Sequence, residues 1–259
     1  DQWGVKMAGI AKDPVLVGTR GQDGVDVSAH QESVDATGVQ HISLEVRGAP
    51  HTLMLPMPGK FNVANAALAV ALATEVGVDA EAFIQGLSGA SVPGRMEPID
   101  CGQEFVAVVD YAHKPAAIAA VLETLRGQVS GRVGIVVGAG GDRDASKRAV
   151  MGAESAKGAD LVIVTDDNPR TEDPAAIRAA VLAGAREAGG RAQEIREVAG
   201  RAAAIDQLVA WAKPGDAIIA VGKGHEVGQI IGETTHHFDD REEMRRALTA
   251  RMGASEEMD

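Results

Sequence analysis

Four short runs of this 259-residue chain are apolar from end to end: residues 105–109, 133–137, 161–164 and 217–221. None alternates apolar with polar residues. A strand buried on both faces of a parallel sheet reads this way, because helices cover both of its faces. Between the runs lie helical stretches at 115–125, 146–157, 174–188 and 202–212. Asp173 followed by Pro174 is a start signal for the third: the carboxylate caps, and proline fits the first helical position. Strand and helix in alternation predict right-handed βαβ units in an open, doubly wound α/β sheet.

The first 60 or so residues follow a different pattern and read as short strands and turns. Residues 41–47 alternate apolar and polar, as a half-buried strand does, and 52–56 reads as its partner. Gly18, Gly21, Gly24 and Gly38 punctuate the turns. An Ala-rich helix is expected over 62–75, with Asn62 as its N-cap and Gly77 as its stop, and a second helix over 80–87. The small-residue stretch 88–94, ending in Pro93-Gly94, predicts a domain boundary, giving domains 1–94 and 95–259. The tail, 253–259, is expected to fray.

Composition narrows the partners. With 45% hydrophobic and 24% charged residues the chain is not disordered as a whole. A net charge of −12 argues against nucleic acid and against an anionic membrane surface, while leaving room for a local basic pocket. Aromatic residues, at 3%, are too few for base-stacking platforms. One cysteine, Cys101, excludes an internal disulfide framework and a multi-cysteine metal site, and fits a reducing compartment. No apolar run approaches the roughly 20 residues of a membrane span. The opening Asp1-Gln2-Trp3-Gly4 carries no signal-peptide pattern and reads as a processed chain or an internal piece.

In open α/β sheets ligands bind at the carboxyl ends of the strands. After the four apolar runs come residues 110–115, 138–144, 166–170 and 222–226, all bearing glycines, charges or both. The glycines at 138, 140 and 141 do not complete a dinucleotide-binding fingerprint and singly read as turn formers. Asp166 and Asp167 can cap the next segment. His225-Glu226 lacks the second histidine of a zinc-protease motif, and His236-His237 diverge on a strand, so both read as non-metal sites. Lys147 and Arg148 read as a solvated helix face, or as groups reaching back to an anion. Arg170 is more informative. Pro169 biases Asn168 to extended geometry, so Asn168 and Arg170 stand in a fixed turn. A guanidinium grips a carboxylate with two parallel hydrogen bonds. Arg143 offers a second grip and Glu226 the opposite charge. Two cationic forks and carboxylates around one crevice suit a zwitterionic ligand, such as an amino acid with more than one carboxylate.

Five stretches then carry a resemblance. Residues 92–97, 109–115, 140–144, 165–170 and 222–226 occur in the order and at the spacing of the Mur ligases, and the similarity runs from Trp3 to about Leu248. The sequence Asp167-Asn168-Pro169-Arg170 resembles members that add meso-diaminopimelate; lysine-adding members usually lack the arginine. The resemblance implies that Arg143, Asp167, Asn168, Pro169, Arg170, Gly222 and Glu226 bind diaminopimelate. It implies that Asn65 contacts adenine, Arg95 lies near the phosphates, Asp110 binds the ribose and His113 lies near the phosphates. The implied reaction is ATP-dependent amide formation on UDP-N-acetylmuramoyl-L-alanyl-D-glutamate through an acyl phosphate, a cytoplasmic step of peptidoglycan synthesis.

The sequence also departs from that family. A glycine-rich phosphate loop is absent: Gly59-Lys60 is followed by Phe61, and Gly222-Lys223 by Gly224. The expected fold is therefore a complete C-terminal Rossmann-like domain preceded by the second half of an α/β ATP-binding domain. Magnesium ligands are expected upstream, no catalytic residue is assigned within the chain, and the fragment alone is expected to be inactive, since nothing in it cradles the β- and γ-phosphates. The alternatives are a non-catalytic diaminopimelate-binding module and a ligase like folylpolyglutamate synthase, against which the Asp-Asn-Pro-Arg turn argues. A dinucleotide oxidoreductase is disfavoured by the incomplete glycine fingerprint.

Overall fold

The computed structural model describes residues 2–20, 22, 24–34 and 39–256. The chain divides into two compact units, Asp1–Ser91 and Val92–Asp259.

In the first unit the order is α1 (Gln2–Ala8), β1 (Val17–Gly18), β2 (Val27–Val34), β3 (Gln40–Val46), β4 (Ala49–Leu55), α2 (Lys60–Glu75) and α3 (Ala80–Leu87). The four strands form one sheet in chain order; β1 pairs parallel with β2, and the rest are antiparallel. The expected alternation appears in β3, where Gln40, Ile42, Leu44 and Val46 are buried. The strand stops one residue short of expectation. Arg47 and Gly48 both have positive φ, 48° and 83°, and make a two-residue hairpin connection whose twist suits the flanking strands. Helix α2 packs Val63, Ala67, Val70 and Ala71 against Ile42, Leu44, Leu53 and Leu55.

Two expectations for this unit are corrected. Asn62 is not the N-cap of α2; Gly59 holds that position, and Asn62 is buried inside the helix with its Nδ2 donating to the Pro58 carbonyl at 2.8 Å. The stretch before residue 60 is not all strand and turn, since α1 is helical. Gly77 ends α2 with φ of 86°, as read from the sequence, while Gly18 lies in β1 rather than a turn. Gly21 and Gly38 lie outside the described residues.

The second unit contains β5 (Glu97–Pro98), β6 (Val106–Asp110), α4 (Pro115–Gln128), β7 (Val133–Val137), α5 (Lys147–Gly158), β8 (Leu161–Val164), α6 (Pro174–Glu187), β9 (Glu194–Glu197), α7 (Arg201–Trp211), β10 (Ala217–Val221), β11 (Gly228–Ile231), β12 (Thr234–His237) and α8 (Asp240–Glu256). The main sheet has the order β5-β6-β10-β7-β8-β9, parallel except for β5. β7, β8 and β10 are buried at every position, as their unbroken apolar sequences require.

From β6 to β9 the chain advances in one direction, and α4, α5 and α6 pack on one face against Ile135, Val137 and Val162. It then turns back to place β10 between β6 and β7. Right-handed crossover puts the returning helix α7 on the opposite face, where with α8 it covers Val136, Ile163 and Ile218. The order reverses beside β10, so the ends of β6, β7 and β10 bound a crevice of the kind that holds ligands. Helix α8 continues to Glu256, so the tail expected to fray is helical through that residue; residues 257–259 lie outside the described set. No helix among the described residues is long and apolar enough to cross a membrane.

Candidate ligand site at the strand ends

The loops after β7 and β8 are clamped together. Arg148, on the first turn of α5, is buried and donates through both terminal nitrogens to Glu172, each at 2.8 Å, and to the Gly140 carbonyl at 3.2 Å. This corrects the reading of Arg148 as part of a solvated face. Lys147 also reaches back, its Nζ donating to the His113 carbonyl at 3.0 Å. The two loops approach so closely that a Cβ on Gly141 would lie 1.9 Å from the Pro169 carbonyl oxygen, so only glycine fits there.

Arg170 stands in this clamp with φ of 52°, a left-handed conformation that a residue carrying a Cβ rarely adopts without help. The help comes from the β11–β12 hairpin. The Arg170 N–H donates to Ile230 at 3.0 Å, and its carbonyl accepts from the Gly232 N–H at 2.7 Å. One guanidinium nitrogen, NH1, donates to the Gly141 carbonyl at 2.7 Å, while Nε and NH2 have no partner among the described residues. Arg143 is exposed and forms no ion pair among the described residues. A Cβ on Gly140 would come within 3.0 Å of Arg170 NH1 and 3.7 Å of Arg143 Cγ, so the two arginines flank one point of the loop.

The next strand end supplies the opposite charge. Asn168 is buried, and its Nδ2 donates to Glu226 Oε2 at 3.1 Å. Asp167 is buried too, with Lys223 Nζ 3.4 Å from its Oδ1. Gly222 follows β10, and its N–H donates to the Asp110 carbonyl at 3.1 Å; a side chain there would meet Asp167 Oδ2. Asp166 faces elsewhere: it pairs with Arg178, which also holds Glu197, rather than capping the segment.

The residues after β6 form a neighbouring group within the same unit. Asp110 accepts from the Met96 N–H and the Ala112 N–H, both at 2.7 Å. Burial pushes its pKa up, against those hydrogen bonds and the charge of Arg95. The exposed Arg95 guanidinium lies 4.3 Å from the Tyr111 ring centroid, a cation–π contact that leaves its N–H edges free for an anion. His113 packs edge-on against Tyr111 and its Nδ1 meets the Tyr111 carbonyl at 3.0 Å. Asn65 stands in the first unit, exposed on α2.

Known proteins share this arrangement of elements. The family model for the Mur ligase glutamate ligase domain matches residues 94–224. The chain belongs to the Mur ligase family. A UDP-N-acetylmuramoyl-L-alanyl-D-glutamate–2,6-diaminopimelate ligase of Corynebacterium glutamicum is 56% identical over 97% of this chain and 49% of its own length. One of the same name from Streptomyces coelicolor is 40% identical over 98% of this chain and 51% of its own. A solved structure bearing that name superposes with a TM-score of 0.62 at 35% identity, covering 96% of this chain and 50% of that one. Mycobacterium tuberculosis folylpolyglutamate synthase, solved with ADP and AMPPCP, follows with a TM-score of 0.59 at 26% identity over 77% of this chain and 46% of its own. The chain thus spans about half the length of the curated relatives it matches.

Two features of this Mur ligase chain escaped the sequence reading. Lys223 is fully buried, and burial lowers its pKa, against the pull of Asp167, Asp240 and Glu226. Its setting between two glycines at a strand end was the available signal. Arg201 is also buried, donating to both oxygens of Asp240 at 2.7 and 2.6 Å and to the Val221 carbonyl at 2.8 Å. Burial alone would lower its pKa, but the Asp240 carboxylate outweighs that and raises it. An arginine opening a helix gives no such signal in sequence. Among the described residues no group of three or more His, Cys, Asp or Glu side chains could hold a metal ion. The described residues therefore build no all-protein cage for magnesium.

Proposed function

We propose that residues 92–259 bind meso-diaminopimelate for an ATP-dependent amide ligase that extends UDP-N-acetylmuramoyl-L-alanyl-D-glutamate. The observation that carries this reading is Arg170: pinned at its N–H, its carbonyl and NH1, it keeps Nε and NH2 beside Arg143 without a partner among the described residues. A fork held this way suits a carboxylate, and diaminopimelate has a distal carboxylate that lysine lacks. The charges support the same ligand. Lys223 and Arg201 lie among the carboxylates of Asp167, Asp240 and Glu226. Glu226 is the carboxylate offered to a ligand ammonium.

In this reading Arg170 and Arg143 hold the distal carboxylate, and Glu226 with Asp167 holds the distal ammonium. Asn168 links the two halves, and Pro169 and Gly222 keep the walls close. The other amine of the ligand is then left to attack the D-glutamyl acyl phosphate, formed when that carboxylate displaces ADP from ATP; phosphate leaves as the amide forms. Such catalysis rests mainly on positioning and on neutralising charge at the phosphates. Arg95, Asp110 and His113, with Asn65 of the first unit, serve the nucleotide. Residues 1–91 are read as the second half of the central ATP-binding domain. The chain alone is not expected to turn over ATP, and the substrates place the reaction in the cytoplasm.

Calorimetric titration tests the reading. The chain should bind meso-diaminopimelate at least ~10-fold more tightly than lysine, the value of a charge-assisted hydrogen bond of about 1.5–3 kcal/mol. Arg170→Ala should erase that difference. A variant that kept the parent's preference, or a parent that preferred lysine, would remove the assignment. A ligand of the folylpolyglutamate synthase kind would bind without dependence on Arg170.

A further inference from the structure

The side chain of Asn168 has one permitted orientation, and Lys223 imposes it. Two donor-only groups meet the same atom of that amide: Lys223 Nζ at 2.9 Å and the Ile230 N–H at 3.0 Å. Neither an ammonium nor a backbone N–H can accept, so the atom facing them is the carbonyl oxygen. The NH2 end is thereby turned to Glu226 Oε2 at 3.1 Å. If the amide flipped, two oxygens would face each other and Glu226 would be repelled.

Lys223 itself has little freedom. Its remaining donors go to the Gly228 carbonyl at 2.7 Å and toward Asp167 Oδ1 at 3.4 Å. Asp167 Oδ1 is buried without a hydrogen-bond partner among the described residues, and this ammonium offsets its charge. A buried ammonium with no further task is costly, and its three contacts all end on residues that line or brace the crevice.

We propose that Lys223 is a positioning residue: its ammonium fixes the Asn168 amide so that Nδ2 holds Glu226 ready to receive a ligand ammonium. The last clause rests on the ligand reading above; the orientation of the amide does not.

The test uses Lys223→Met, which keeps most of the stem and removes the charge and donors. In the ligand-free chain, the Asn168 side-chain amide signals in a nitrogen–proton spectrum, assigned by their loss in Asn168→Asp, should shift and broaden in the variant. Binding of meso-diaminopimelate should weaken at least tenfold. In an Asp167→Asn, Asn168→Ala background the same substitution should change binding less than twofold, because both side chains it touches at the crevice have then lost the groups it acts through. A lysine serving only the fold would leave the amide signals in place, and its effect would multiply with that of the background substitutions; either result overturns the proposal. If Lys223→Met does not fold, Lys223→Met with Asp167→Asn, compared with Asp167→Asn alone, removes both charges together and is read by the same signals. A parent chain that fails to bind diaminopimelate would sink the ligand reading, while the amide signals would still decide the role of Lys223.

Discussion

Arg170 is held in a conformation that costs about 1–3 kcal/mol for a non-glycine residue, and the hairpin contacts on both sides of it keep it there. The consequence is a guanidinium whose free edge is fixed before any ligand arrives. Arg170→Lys should therefore not substitute for arginine, since a compact ammonium cannot make the two parallel bonds. We expect the lysine variant to retain less than about a tenth of the parent's preference for diaminopimelate over lysine, measured by competition calorimetry. At this scale the sequence was informative where proline restricts its neighbour, as at Asn168 and Arg170. It was silent where burial depends on a distant loop. Arg148 looks solvated in sequence, and only the return of the 165–173 segment, which brings Glu172 against it, makes it a buried clamp.

Helices α5 and α6 cross at glycines: a Cβ on Gly152 would lie 1.9 Å from the Val181 carbonyl oxygen, and one on Gly184 1.8 Å from that of Ala149. Gly152→Ala, which would favour an isolated helix by about 1 kcal/mol, should instead lower the melting temperature by several degrees as the helices are forced apart. At the other end of the sheet Asp216 joins the starts of β7 and β10. It accepts from the Arg132 N–H at 2.8 Å, from the Arg132 guanidinium and from the Lys213 N–H at 2.9 Å. Burial alone would raise its pKa, but these bonds, that of the Arg132 side chain foremost, outweigh burial and lower it. A carboxylate with a depressed folded pKa adds stability above its unfolded value of about 3.9, and that stability is lost as the pH falls through the folded value. Asp216→Asn should cost about 1–2 kcal/mol at pH 7 by urea unfolding, with the gap from the parent narrowing below about pH 4. The fully apolar strands were legible because burial on both faces leaves no polar position. β9, with the sequence Glu-Ile-Arg-Glu, was not, since an edge strand keeps its charges. Helix α8, opening Asp-Arg-Glu-Glu, shows few apolar anchors beyond Met244, Ala247 and Leu248.

Among the described residues each core cluster lies within one unit: one draws on Val27 to Ile84, the others on Met96 to Leu248. A polypeptide of residues 92–259 should therefore fold by itself with one cooperative transition, seen as coincident loss of far-ultraviolet dichroism and tryptophan fluorescence from Trp211; a broad, non-cooperative melt would show that it depends on residues 1–91. Within that unit β10 is the last strand of the main sheet to be made, yet it lies between the first two parallel strands, pairing with β6 and β7. A nascent chain leaving the ribosome therefore carries β6 and β7 without the strand that joins them until residue 221 has emerged. Synthesis halted before that point would leave two exposed apolar edges prone to self-association, and the ligand crevice would not exist in such a product, because the strand at its floor is missing.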